Sequence, residues 1–336
     1  MAHTAIYIAQ RHNPWFNLAT ETWLIEKQDL QDTNILYLWR NSPCIVIGRY
    51  QNPWVECDLR AMERDGVLLA RRPSGGGAVY QDLGNTCFTI ISPRQQYDKE
   101  RNFDIVRKAL AACGVESELS GRNDILVGGR KVSGSAFQLT ATRGCHHGTL
   151  LIDADLSHIG DYLTPDKQKL EAKGIRSVAS RVVNLKEIEP SFTHDRFSDA
   201  IIEAFRSEYG EDAPVQGLDA SMLEREPSLM ETYEKLASDS WRFGTTPQFS
   251  HTCSERLPWG RLTFHLDVEK GVIVQAKVFS DALSTDCVET LERLLQGLPY
   301  TPKAVRDRVA AVTAGLPEEL ARMVSEGAQI LLREMG

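Results

Sequence analysis

The sequence predicts an α+β fold, with a large domain on a mixed sheet surrounded by helices and a small α+β unit after it. Three observations carry this. Short strand-like apolar runs alternate with helical patterns through the first two thirds of the chain. Between Trp241 and Trp259 periodicity fades and turn residues gather, among them Gly244-Thr245-Thr246-Pro247 and Pro258. Beyond that break an alternating strand pair precedes helical sequence. At 336 residues the chain is longer than one core uses well, roughly 250 to 300 residues, so two domains are expected. They are placed at 1–245 and 255–336.

Taken in order, Ala5 to Ala9 reads as a strand. Asn13-Pro14 supplies a cap followed by proline at the first helical position, so a helix is expected from Pro14 to Lys27, with Trp15, Leu18, Ala19 and Ile25 at helical spacing. Asn34 to Arg40 and Cys44 to Ile47 read as strands joined at Asn41-Ser42-Pro43. Val67 to Arg72 and Thr86 to Ser92 read as strands flanking a glycine-rich loop, and Phe103 to Cys113 as a helix. Ile125 to Val127, Gly128-Gly129 and Arg130 to Phe137 form a hairpin pattern, because paired glycines accept the positive φ of a two-residue turn. Gly148 to Asp153 reads as another strand. His194 to Tyr209 reads as a helix with Phe197, Ile201, Phe205 and Tyr209 on one face. In the smaller unit Leu262, Phe264, Leu266 and Val268 alternate, Glu269-Lys270-Gly271 turns, Val272 to Phe279 returns, and helices fill the rest from Ser284.

Composition narrows the function classes. Hydrophobic residues at 42% and charged residues at 25% are those of an ordinary globular protein. A net charge of -8 argues against nucleic acid as a partner, since such binding needs a basic face. The seven cysteines are scattered and form no CxxC pair, which suggests neither a disulfide framework nor a zinc ribbon and points to a reducing compartment. No leader-like segment and no run of about 18 apolar residues is present, so no membrane association is expected and the cytoplasm is the predicted location.

Four segments carry chemistry. In Arg71-Arg72-Pro73-Ser74-Gly75-Gly76-Gly77-Ala78-Val79-Tyr80 three glycines remove every Cβ, so backbone N–H groups can approach a phosphate or carboxylate while the arginines supply charge. A bare triple glycine is most often a turn; its place between arginines and a strand is what lifts this one. No Walker A or GxGxxG pattern occurs, and His158-Ile159-Gly160-Asp161 lacks the second histidine of an HxGH motif. The second segment is Gly121-Arg122-Asn123-Asp124, the glycine turn and Arg130-Lys131-Val132-Ser133-Gly134-Ser135-Ala136. Alone, its lysine reads as a solvated side chain. In Cys145-His146-His147-Gly148 the adjacent histidines point to opposite sides of a strand and cannot easily chelate one ion. The fourth, Leu170 to Val178 with Ser180-Arg181-Val182, reads as a solvated basic loop.

Together these segments resemble the lipoate-protein ligase family, whose catalytic domain shares its fold with biotin protein ligases and octanoyltransferases. The resemblance runs through nearly the whole chain. It rests on Asn13 to Ala19, Leu38-Trp39-Arg40, Ile47-Gly48-Arg49, Gln51-Asn52-Pro53-Trp54, the Arg71 to Val79 block, Gly121 to Asp124, Arg130 to Ala136, His146 to Leu151 and Lys173 to Val178, in that order. The C-terminal unit resembles the accessory domain of the bacterial two-domain ligases.

The resemblance implies an enzyme that activates lipoate with ATP as lipoyl-AMP and transfers the lipoyl group to a lysine of lipoyl domains of 2-oxoacid dehydrogenase E2 subunits or of the glycine cleavage H protein. It assigns Arg72 and Gly75 to Gly77 to a lipoate-binding loop, with Gly77, Ala78, Val79 and Tyr80 against the nucleotide. Lys131 matches the essential lysine. Glu21 and Trp39 line the lipoyl pocket, and Asn123, Asp124 and His147 lie around the adenylate. Ser74, Asn85, Ser133 and Ala136 belong to the same binding surface, and residues 166–183 to an adenylate-binding loop. Asp124 is the candidate contact for Mg²⁺, which prefers carboxylates plus substrate phosphates. Two positions depart from the pattern: Gln81 stands where many relatives have histidine, and Gln138 where close bacterial relatives have a basic residue. The second leaves the choice between lipoate and octanoate open. Rival readings are an octanoyltransferase, a lipoyltransferase using ready-made adenylate, and a non-catalytic adenylate-binding module.

Overall fold

The computed structural model describes residues 3–121, 123–157, 159–163, 182–210, 213–243, 251–269 and 271–335. They pack as two units. Residues 1–46, 54–72 and 79–242 make the first; Ile47–Pro53, Pro73–Ala78 and Phe243–Gly336 make the second.

The first unit contains β1 (His3–Ala9), α1 (Pro14–Glu26), β2 (Thr33–Trp39), β3 (Cys44–Ile47), β4 (Leu68–Arg71), β5 (Val79–Gln81), β6 (Asn85–Pro93), α2 (Lys99–Ala112), β7 (Glu118–Ser120), β8 (Asp124–Val127), β9 (Arg130–Leu139), β10 (Arg143–Leu151), α3 (His194–Tyr209), β11 (Val215–Leu218) and α4 (Pro227–Ala237). Eight strands form a sheet in the order β11-β1-β2-β6-β10-β9-β8-β7. β1 runs parallel to both of its neighbours and the other pairings are antiparallel, so the sheet is mixed. β3 does not pair with β2; it forms a small separate sheet, β4-β3-β5.

One face of the large sheet is covered by α2 and α3 around Phe88, Phe103, Ile105, Phe197 and Ile201, and the other by α1 and α4 around Leu18, Trp23, Tyr37 and Leu229. α1 starts where the sequence places it: Asn13 Oδ1 accepts the Phe16 amide at 2.9 Å, with Pro14 in the first turn. α2 starts four residues before the apolar pattern does, because Asp98 caps its polar first turn. β10 likewise begins at Arg143, whose buried guanidinium donates to the carbonyls of Leu30 and Thr33 and so tolerates a place inside the sheet.

The second unit has β12 (His251–Leu257), β13 (Gly260–Glu269), β14 (Val272–Ser280), α5 (Thr285–Leu295), α6 (Pro302–Thr313) and α7 (Glu318–Glu334). Its antiparallel sheet, β12-β13-β14, packs Leu262, Phe264, Ile273 and Val278 against Leu291, Val305, Val324 and Leu331, and Tyr50 joins that core. β12 lies where the sequence shows no alternation. It is an edge strand whose polar side chains are largely exposed, so burial leaves no period in it. Among the described residues no helix is long and apolar enough to cross a membrane. All seven cysteines are free.

The face covered by α2 and α3 carries a buried histidine. His146 is fully buried among Phe88, Phe103 and Phe137, with ring centroids 4.7 to 5.4 Å away, and its Nε2 meets Ser135 Oγ at 2.9 Å. Burial pushes its pKa down to about 3, with His147 and Lys99 adding to the effect; burial and Arg40 push His194 down to about 4. The unfolded chain takes up protons below about pH 6.5 that the folded chain refuses. Stability is therefore expected to fall as pH drops from 6.5 toward 4, by up to about 1.4 kcal/mol per pH unit for each histidine. Urea midpoints between pH 7 and 4.5 measure this, and His146→Gln should reduce the loss.

Candidate active site

The register of the large sheet gathers Trp39, Asp124, Ala136 and His147 on one face. Directly opposed residues share a face, as do residues two apart on one strand. Trp39 pairs with Cys87, Cys87 with Thr149, Thr149 with Gly134 and Gly134 with Asp124, a row across five strands. The adjacent row is Tyr37, Thr89, His147 and Ala136. The middle of the first row, Cys87, Thr149 and Gly134, carries short side chains, over which a slender chain can lie.

At one end α1 brings Glu21 down onto the sheet. Its Oε1 accepts from Thr89 Oγ1 at 2.6 Å, and His147 Nδ1 lies 2.9 and 2.8 Å from its two oxygens. Trp39 Nε1 donates to Thr89 Oγ1 at 3.1 Å. All four residues are buried, Glu21 to 1% exposure, and Thr89 and His147 supply the hydrogen-bond partners that a buried carboxyl group needs. Buried Arg72 donates to the Val46 carbonyl at 3.0 Å. Desolvation lowers its pKa to about 10, Glu21 opposes that shift, and the guanidinium stays cationic at neutral pH.

At the other end the β8–β9 hairpin presents Lys131. Gly128 and Gly129 turn with φ of 55° and 75°, and Asn123 clamps β9 by donating from Nδ2 to the Ser135 carbonyl and accepting the Ser135 amide. Lys131 Nζ is 2.7 Å from Asp124 Oδ1. The lysine lies across Gly134: a Cβ there would stand 2.7 Å from Nζ and 2.9 Å from Cε. Gly134→Ala is therefore expected to keep the fold, since a flexible chain end can move, yet to displace the ammonium and slow the reaction about tenfold or more. Unchanged kcat in this variant would remove the lysine's position from the mechanism. Val183 N–H donates to the Lys131 carbonyl at 3.0 Å; most of the expected adenylate-binding loop, 164–181, and Arg122 lie outside the described residues.

The structure does not bring every expected residue to that face. Ser133 pairs with Leu150, whose side chain is in the opposite core, and its own buried Oγ has no partner among the described residues. Asn85 does share that face, two residues from Cys87 at the start of β6, where it is buried and donates to Cys87 Sγ at 3.4 Å. Val79 and Tyr80 lie on β5, with Tyr80 stacked on Tyr162. Ser74, Gly75, Gly76, Gly77 and Ala78 belong to the second unit. There Arg49 N–H donates to the Ser74 carbonyl at 3.0 Å and Gly76 N–H to the Ala282 carbonyl at 2.8 Å. Gly76 has a φ of 96°, and a Cβ on Gly75 would overlap the carbonyls of Ala282 and Leu283. These glycines thus serve close approach of two backbones.

Of the two departures, Gln81 is buried and accepts from Asn41 Nδ2 at 2.7 Å, ending a chain of amides that runs through Asn17 to Tyr37. Gln138 sits opposite Cys145, on the face that carries His147. Thr89 was not singled out from the sequence; the apolar run around it offers no signal, and only cross-strand register reveals it.

Residues 13–206 match the family described as the lipoyl protein ligase A/B catalytic domain, and residues 246–323 match the bacterial lipoate protein ligase C-terminus. The chain belongs to the lipoate-protein ligase family. It is 47% identical over 328 residues to lipoate-protein ligase A of Psychrobacter cryohalolentis, covering 96% of each chain. Among solved structures it is similar to P. falciparum LipL1 in complex with lipoate, at 32% identity and a TM-score of 0.87 over 98% of this chain and 99% of that one. A bipartite lipoate protein ligase of Thermoplasma acidophilum, described with its E2 lipoyl domain, shares the fold at 23% identity and a TM-score of 0.65, covering 75% of this chain and all of that chain. The mixed α+β architecture expected from the sequence is that of these ligases, and membership places the chain among enzymes.

Proposed function

We propose that this chain joins lipoate to a lysine of lipoyl domains in two steps, in the cytoplasm, with 1–245 as the catalytic domain and 255–336 as an accessory domain. In the first, a carboxylate oxygen of lipoate attacks the α-phosphorus of ATP; the bond to the β-phosphate breaks and pyrophosphate leaves, giving lipoyl-AMP. In the second, an acceptor lysine amine attacks the acyl carbon, its bond to the AMP oxygen breaks, and the amine gives up a proton. E2 subunits of 2-oxoacid dehydrogenases and the glycine cleavage H protein are the acceptors.

The observation that supports this most directly is the Lys131 ammonium at one end of a row of short side chains whose other end is closed by Trp39 and the Glu21–His147 pair. Lys131 would offset charge on the α-phosphate and later on the leaving AMP oxygen, without itself being acylated. Arg72 would add positive potential, and the amides of Gly75 to Gly77 are assigned to anion binding by the family resemblance. Asp124 is too little to hold magnesium alone, but it fits that ion's habit of sitting between one carboxylate and nucleotide phosphates. Bound with ATP, Mg²⁺ would neutralise phosphate charge. Cys145 supplies no nucleophile: burial holds its thiol well above the usual range.

Lipoate-dependent ATP–pyrophosphate exchange tests the reading. Exchange is expected only when lipoate is present. A folded protein that transfers from supplied lipoyl-AMP or octanoylated carrier protein but never exchanges would be a transferase instead, and one that does none of these would be a binding module.

A further inference from the structure

Cys145 is a buried polarisable group beside the site that the proposed reaction leaves idle. It lies two residues from His147 on β10, so both side chains point to the face that Glu21 closes from α1. One ligand atom from each of Glu21, Cys145 and His147 falls within 4.8 Å of the others, and all three residues are buried. The imidazole Nδ1 and the carboxylate already meet at 2.8 Å. Adjacent histidines cannot share an ion here, since His146 faces the opposite core, but a Cys-x-His pair on one strand face can.

The donor set decides which ion suits it. One sulfur, one imidazole nitrogen and one carboxylate oxygen match a borderline-soft cation, whereas Mg²⁺ and Ca²⁺ prefer oxygen throughout. Zinc takes these donors at about 2.0 to 2.3 Å, and three protein ligands with an open fourth position is the pattern of an exchangeable site. At those bond lengths tetrahedral ligands stand roughly 3.3 to 3.8 Å apart, so the group must contract by about 1 Å at its widest, within the reach of side-chain rotation. Thr89, donating to Glu21 at 2.6 Å, supplies an outer-shell partner that orients the carboxylate.

We propose that Glu21, Cys145 and His147 form a binding site for Zn²⁺, and that the ion inhibits the enzyme by occupying the end of the acyl pocket. The first half stands on the donor geometry alone; the second rests on the pocket assigned under the proposed function.

The test uses the full chain, metal-free and under a phosphine reductant. Co²⁺ should bind at one equivalent with a thiolate-to-cobalt charge-transfer band, and Zn²⁺ should displace it. Cys145→Ser should lose the band and weaken Zn²⁺ binding at least about tenfold, a loss comparable with that from damaging the surroundings of a metal site. Cys253→Ser should keep both. In lipoate-dependent exchange with Mg²⁺ in excess, Zn²⁺ should raise the apparent KM for lipoate and leave kcat unchanged. Cys145→Ser should exchange normally and resist zinc at least about tenfold better. If serine at this buried position destabilises the chain, Cys145→Ala serves in its place. No band, or equal zinc affinity in wild type and variant, would overturn the site. A band lost in Cys145→Ser together with no competition against lipoate would uphold the metal site and overturn the placing of the acyl pocket beside it.

Discussion

Lys131→Ala is expected to lower ATP–pyrophosphate exchange and lipoyl transfer from supplied adenylate by about 10² to 10³, the usual cost of removing one preorganised charge-stabilising donor. Two effects combine. The methyl group cannot offset charge on the phosphate, and it also leaves Asp124, now 2.7 Å from the ammonium, as an uncompensated carboxylate facing an anionic substrate. Lys131→Ala with Asp124→Ala should therefore be less damaging than the product of the two single effects, because the variants share one interaction. Thermal stability should hardly change, since the side chains of the pair are 32% and 21% exposed and such partly solvated pairs contribute little to folding. Exchange near the wild-type rate in folded Lys131→Ala would exclude the lysine from the chemistry.

A chain ending at Thr245 is expected to lose most exchange but to keep transfer from supplied lipoyl-AMP. The cut removes the partners of both short segments that the N-terminal sequence lends to the second unit. Tyr50 loses its 2.6 Å bond to Glu289 and the Ser280 amide that donates to its carbonyl, and Gly76 loses the Ala282 carbonyl. The glycine segment is then unsupported where adenylation needs ordered amides, while attack by an acceptor lysine on preformed adenylate needs access more than enclosure. Pyrophosphate exchange and transfer, measured on the same soluble preparation, distinguish the outcomes. Aggregation with both activities lost would mean that exposing Tyr50 and its neighbours dominates. Full exchange in a soluble truncated chain would contradict the account.

Much of the architecture was legible because periodicity follows burial. His194 to Tyr209 and Cys44 to Ile47 were readable to the residue, the first from an apolar stripe that the structure caps with Thr193 and Gly210, the second from four consecutive apolar residues that are all buried. β12 was not, because an exposed edge strand has no apolar alternation, and β11 and α4 were not, because few of their residues are fully buried. Motifs indicated which residues to inspect but not their company. Nothing local in the sequence says that Thr89 bridges Trp39 and Glu21, that Ser133 faces away from Gly134, or that the triple glycine leans on residues 282 and 283. Each of those depends on strand register or on packing between distant parts of the chain.

The segment around Tyr50 and the glycine run also sets an order of events during synthesis. Tyr50 and Glu289 are separated by 239 positions. A ribosome adding about 5 to 20 residues per second needs on the order of ten to fifty seconds to cover that stretch. For that interval the large sheet can assemble from strands already made, yet the glycine run has no Ala282 carbonyl to settle against. The nascent chain should therefore acquire its core well before its glycine run is ordered, and pulse-labelled chains probed by limited proteolysis should show residues 47–53 and 73–78 protected only after the last helices have emerged.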